Sequence, residues 1–140
     1  MKESITQEHM TGCAVACVAY LMGVSYQRAL EAFKSPHQAW GQGFYCDEIV
    51  EALGVFGKNY FYDRLTVYNR SLLEKPDVIV FVEPNRRYPL GHYLARSSQC
   101  QWMNSWVNCP VIAPAQSGFE RKLPGLPSYV IFNASSCSLK

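Results

Sequence analysis

Residues 12–22, GCAVACVAYLM, limit the fold of this chain more than any other stretch. They read as a compact apolar helix, Gly12 to Met22, and Gly23 suits its C-terminal cap. Two cysteines lie in it, Cys13 where the helix begins and Cys17 one turn deeper among Val18, Tyr20 and Leu21. A core helix can use both as small hydrophobes, a metal site can use both as ligands, and an enzyme would use one and bury the other.

Two further helices are expected in the first half. Ser25 to Phe33 has Ser25 as its N-cap. Cys46 to Leu53 carries acids in its first turn and has Gly54 after its end. The stretch between them, SPHQAWGQGFY at 35–45, reads as a loop by its Pro and Gly content. The second half reads as strands. DVIVFV at 77–82 is continuously apolar and β-branched, as a central strand should be. HYLAR at 92–96 and CQWMNSW at 100–106 flank a short polar turn and form a hairpin. SYVIF at 128–132 is a late strand, and 60–67 a weaker candidate. The segment 109–127 carries four of the eight prolines and is expected to wander over the surface. Helices followed by an antiparallel sheet give an α+β fold, and 140 residues fit a single domain, 1–140.

The bulk chemistry removes several classes of partner. The net charge of +2, with Lys and Arg scattered, does not point to nucleic acid or to an anionic membrane. No apolar run reaches the length of a membrane span, and the N-terminus MKESITQEHM lacks the apolar core of a signal peptide. The expected location is therefore the cytoplasm, or wherever a larger secreted protein would deliver this segment. Six cysteines without an export signal are expected as free thiols.

Cys13 is the stronger candidate nucleophile. A helix N-terminus favours a thiolate through its free N–H groups and dipole, whereas a thiol deep among apolar residues is inert. Cys13 is accordingly expected to be thiolate-rich and exposed. The base that takes its proton must come from His9, His37 or His92. His92 begins a strand directly after Gly91 and is held most rigidly. With a three-residue hairpin loop, Ser97 to Gln99, Arg96 pairs with Cys100 and His92 falls opposite Asn104, which can then orient the imidazole. A one-residue slip would send Asn104 to the other face. The backbone N–H of Cys13 and the amide of Gln7, six residues upstream, are candidate donors to an oxyanion.

Gln7, five residues and then Cys13 opening a small-residue helix resembles the start of the papain-like cysteine peptidases. QEHMTGCAVACVAYLMG is most similar to the bacteriocin-processing, double-glycine leader peptidases and their stand-alone relatives, and GHYLA at 91–95 fits the histidine motif of that family. The family usually has Asp-Pro at its third position. This chain has NSW at 104–106, which is similar to papain itself, where Asn orients the histidine and Trp shields their bond. The resemblance spans residues 7–106 through three short motifs. It implies a papain-like fold with no cofactor and no metal, Cys13 as nucleophile, His92 as general base and then acid, Asn104 as orienter and Gln7 as oxyanion donor. It also implies a protein or peptide substrate with small residues just before the cleaved bond.

Three other readings stand beside it. His9, Cys13 and Cys17 are spaced i, i+4, i+8, and with Cys100 or Cys109 they would make a zinc site, but no paired C-x-x-C knuckle supports this. A non-catalytic binding module on the same fold is a second. A toxin or effector module acting as a Gln deamidase or transglutaminase-like enzyme is the third, and an inhibitor or immunity protein would then be its partner. Loops 35–45 and 107–127 are the expected walls of the substrate site, and their shape separates an open groove from a blind pocket.

Overall fold

A computed structural model describes residues 2–111 and 114–133; Cys137 lies outside the described residues. The apolar helix, α1 (Cys13–Met22), is buried from Ala14 to Leu21. Gly23 adopts the left-handed conformation, φ 68°, and its N–H caps the carbonyls of Ala19 and Tyr20. In α2 (Tyr26–Leu30) the Ser25 side chain accepts from the Arg28 N–H, as an N-cap should. This helix stops three residues before the expected Phe33. Beyond Leu30, Ala32 and Phe33 bond only three residues back, so the chain tightens into turns while keeping both side chains buried. The loop expected at 35–45 contains a short 3₁₀ helix, Pro36–Trp40. In α3 (Cys46–Val55) the Glu48 carboxylate reaches back 2.7 Å to accept from the Tyr45 N–H. Gly54 does not end this helix but lies within its last turn.

Six strands follow: β1 (Tyr60–Arg64), β2 (Ile79–Val82), β3 (His92–Arg96), β4 (Trp102–Asn104), β5 (Gly118–Glu120) and β6 (Pro127–Asn133). They form one sheet in the order β1-β6-β2-β3-β4-β5, antiparallel throughout, so the fold is α+β. The continuously apolar run around β2 has its reason in this arrangement. Ile79 joins Tyr93, Ala95, Met103 and Ile131 on the face covered by the helices. Val78, Val80 and Val82 join Leu94, Trp102 and Val130 on the other face, beneath Leu65, Leu72, Leu73 and Leu123. A strand buried on both sides has no polar alternation to show. α1 lies against β3, and its alanines let the two backbones come close.

Two expectations are corrected. The segment 109–127 does not merely wander, because it supplies β5, which pairs with β4 from Asn104↔Gly118 to Trp102↔Glu120. The β3–β4 hairpin also has a wider register than expected. Ala95 pairs with Met103 and Arg96 with Trp102, so the loop is Ser97–Gln101, with Cys100 at φ 63°. The Ser97 side chain accepts from the Gln99 and Gln101 N–H groups and stabilises this longer turn. The slip is two residues, so every side chain keeps its face, and Asn104 becomes a diagonal rather than a direct neighbour of His92.

Gly91 sets the entry to β3. Its φ is 81°, and a Cβ there would overlap the Phe81 ring and lie 2.9 Å from the Val82 carbonyl oxygen. Gly54 meets nothing within 4 Å. Gly91→Ala should therefore destabilise by about 1–3 kcal/mol through overpacking and backbone strain. Gly54→Ala should instead stabilise, by about 0.5–1 kcal/mol, through helix propensity. Denaturant midpoints of the two variants are expected to move in opposite directions.

Candidate active site

The start of α1 brings Cys13 to a cavity of about 930 Å³ that His92, at the start of β3, also lines. Cys13 is half-buried, whereas Cys17 is fully buried in the core. The N–H groups of Cys13, Ala14 and Tyr93 face the Cys13 sulfur. The sulfur therefore sits beside the peptide that joins His92 to Tyr93. The thiol and the imidazole make no direct hydrogen bond.

His92 is held from two sides. Its Nε2 is 2.7 Å from Asn104 Oδ1, across the diagonal that the two-residue slip creates. Nδ1 has no hydrogen-bond partner among the described residues. The Tyr88 ring stacks on the imidazole at 3.9 Å between centroids and 7° between planes. The resemblance implies that Trp106 shields the His–Asn bond. Here the stacked ring is Tyr88, while Trp106 contributes its backbone N–H, 2.9 Å from Asn104 Oδ1, and anchors its indole N–H on the Val111 carbonyl. The Asn104 Nδ2 donates to the Tyr88 hydroxyl at 2.9 Å and to Glu120 Oε1 at 2.8 Å. With Nδ2 so committed, Oδ1 faces His92 and the imidazole proton lies on Nε2.

Gln7 is buried and tied to the same region. Its Oε1 accepts from the Ser105 hydroxyl at 2.7 Å, and its Nε2 donates to the carbonyls of His9 and Met10 at 2.9 and 3.0 Å. Both amide hydrogens are thus used within the loop before Cys13. Gln7 can donate to an oxyanion only by releasing one of them, whereas the Cys13 N–H stands at the helix start without an intrahelical acceptor. What Gln7 does in this structure is fasten the loop that precedes the thiol to Ser105, next to Asn104.

Electrostatics corrects the expectation of a thiolate. Burial pushes the Cys13 thiol up to about 11, against the smaller opposing pull of the Tyr93, Ala14 and Cys13 N–H groups. Burial also pushes the His92 imidazole down to about 4; the Asn104 hydrogen bond opposes this, and the Arg87 charge adds to it. At neutral pH both groups are uncharged, a thiol at Cys13 and a neutral imidazole at His92. The Cys17 thiol is pushed well above its ordinary value, again chiefly by burial.

The other expected residues fall elsewhere. His9 packs on Trp40 at 4.0 Å and its Nδ1 lies 2.9 Å from the Tyr26 hydroxyl. Among the described residues no group of three or more His, Cys, Asp or Glu side chains could hold a metal ion. The five described cysteines are free thiols. No helix among the described residues is long and apolar enough to cross a membrane. Of the expected walls, residues 42–45 and 109–110 do line the cavity; the 86–91 loop, which the sequence reading overlooked, lines it too. Tyr88 and Glu120 were also missed. Comparison of the sequence with protein-family models and with curated proteins finds no match.

Two outcomes follow from these protonation states. The fold favours neutral His92, so its contribution to stability is whole above about pH 6.5 and is lost as pH falls through about 4. Denaturant unfolding at pH 7 and pH 4 should show a loss on the order of 3 kcal/mol across that window, reduced in His92→Gln. Iodoacetamide should modify Cys13 well before Cys17, because only Cys13 lines the cavity. Its rate should be slow at neutral pH and climb towards pH 11, and peptide mapping reads both.

Proposed function

We propose that this chain is a papain-like cysteine hydrolase that cleaves a peptide or other amide bond through a thioester on Cys13. The observation that carries the proposal is the 2.7 Å His92–Asn104 hydrogen bond beside a helix-start cysteine in one cavity. Asn104 accepts the Nε2 proton, which leaves the Nδ1 lone pair as the base.

The reaction begins from the neutral pair. As Cys13 Sγ attacks the carbonyl carbon, its proton passes to His92 Nδ1, and the carbonyl oxygen gathers charge near the Cys13 N–H. The imidazolium so formed is oriented by Asn104. It gives the proton to the leaving nitrogen as the C–N bond breaks, leaving the thioester. Neutral His92 then takes a proton from water, which attacks the thioester, and the proton returns to sulfur as the C–S bond breaks.

Peptidase activity is the version the cavity supports best. It is far larger than one amide side chain requires, and its walls include Phe44, Tyr45, Tyr62, Phe81 and Tyr129. A main-chain segment with bulky apolar side chains fits such walls better than a pair of small residues would. The chemistry on Cys13 is the same in a deamidase, so the products decide between them.

Mass spectrometry of candidate peptides incubated with wild type and with Cys13→Ala is the test. Cys13-dependent fragments are expected. A gain of about one mass unit at Gln would replace the peptidase by a deamidase. No Cys13-dependent product from a broad peptide set would overturn the enzymatic reading. His92→Ala should lose about 10²–10⁴ in rate, while Asn104→Ala, which removes only the orienter, should leave a measurable remainder.

A further inference from the structure

Asn104 can orient His92 only if its carboxamide keeps one polarity. Were the amide reversed, Nδ2 would face the imidazole Nε2. The ring proton would then move to Nδ1, and His92 would offer a donor instead of a base. The groups around the amide decide which polarity holds. The Trp106 N–H can only donate, and it meets Oδ1 at 2.9 Å. The Tyr88 hydroxyl accepts from Nδ2 because its own hydrogen goes to the Trp106 carbonyl, 2.8 Å away; a rotating hydroxyl could serve either polarity. Glu120 has no such freedom. Its Oε1 accepts from Nδ2 at 2.8 Å, and its Oε2 is 3.3 Å from Arg87.

We propose that Glu120 is a positioning residue that fixes the polarity of the Asn104 amide and thereby holds His92 in its Nε2–H tautomer. The sheet places it for this task. Glu120 pairs with Trp102 on β5, two residues along from the Asn104↔Gly118 pair, so Glu120 and Asn104 share a face. Arg87, which also donates to the Val107 carbonyl at 2.7 Å, holds the far oxygen of the carboxylate. A carboxylate satisfies both donors at once. A glutamine cannot, since one end of its amide is a donor and must oppose either Asn104 Nδ2 or Arg87.

The catalytic consequence rests on the proposed hydrolase reading, but the tautomer does not, so the two can fail separately. Burial keeps His92 neutral at pH 7, which makes its tautomer readable from two-bond ¹⁵N–¹H correlations of the ring, and the chain has only three histidines to assign. Wild type should show the Nε2–H form. Glu120→Leu should bring up a second population with the proton on Nδ1, and Glu120→Gln a smaller one. On a substrate found for the wild type, Glu120→Leu should lower kcat about 10–100-fold with little change in KM, as loss of a histidine's supporting partner does elsewhere. A single Nε2–H tautomer in Glu120→Leu, or in Glu120→Gln if the leucine variant does not fold, overturns the positioning role. The expected tautomer shift in a protein whose wild type turns over no peptide or amide would uphold that role and sink the hydrolase.

Discussion

Asn104 makes no contact with solvent, and all four hydrogen-bonding positions of its carboxamide are filled. A buried amide left short of partners costs on the order of 1–3 kcal/mol, so this side chain fixes its neighbours as firmly as they fix it. It lies on β4, its imidazole partner on β3 and its carboxylate partner on β5, and the tyrosine and tryptophan groups come from the flanking loops. Three strands and two connections thus meet at one polar knot inside an apolar sheet. Beside it, Ser105 accepts the pull of Gln7 from the N-terminal loop, through the 3.2 Å Gln7 N–H to Ser105 carbonyl bond and the side-chain pair. The loop that leads into Cys13 is therefore located by the same corner of the sheet that locates His92.

The same burial sets the protonation states. A helix start does favour a thiolate, but that effect is modest and falls off within a turn. Removing a thiol and an imidazole from water disfavours both of their charged forms, and here this outweighs the local N–H groups. The packing that holds Cys13 and His92 in place and the environment that keeps them uncharged have one origin.

Much of the framework was legible because it follows from local chemistry. α1 announces itself by an unbroken apolar run closed by Gly23, and β3 was placed at its observed limits directly after Gly91 and before a short polar turn. His92 and Asn104 were paired for a reason that survives a wrong register: a two-residue slip preserves the face, whereas a slip of one would have separated them. What stayed hidden was non-local. β5 has three residues, Gly-Phe-Glu, with no strand signal of their own, and it exists because β4 offers it an edge. Tyr88 and Glu120 become partners of Asn104 only once the chain has closed 16 residues on each side. Desolvation was hidden for the same reason, since it depends on what the whole sheet and its helices cover.

The choice of an amide rather than a carboxylate beside His92 makes sense within this network. A carboxylate in direct contact would favour the imidazolium and bind its proton tightly. The structure instead places a neutral acceptor against the ring and sets the carboxylate of Glu120 one hydrogen bond farther out, with Arg87 against its other oxygen. The negative charge then fixes direction without charging the ring, and Arg87 itself works against the imidazolium. Position and charge are separated. Asn104 transmits the orientation, while burial, with the Arg87 charge adding to it, keeps the imidazole neutral.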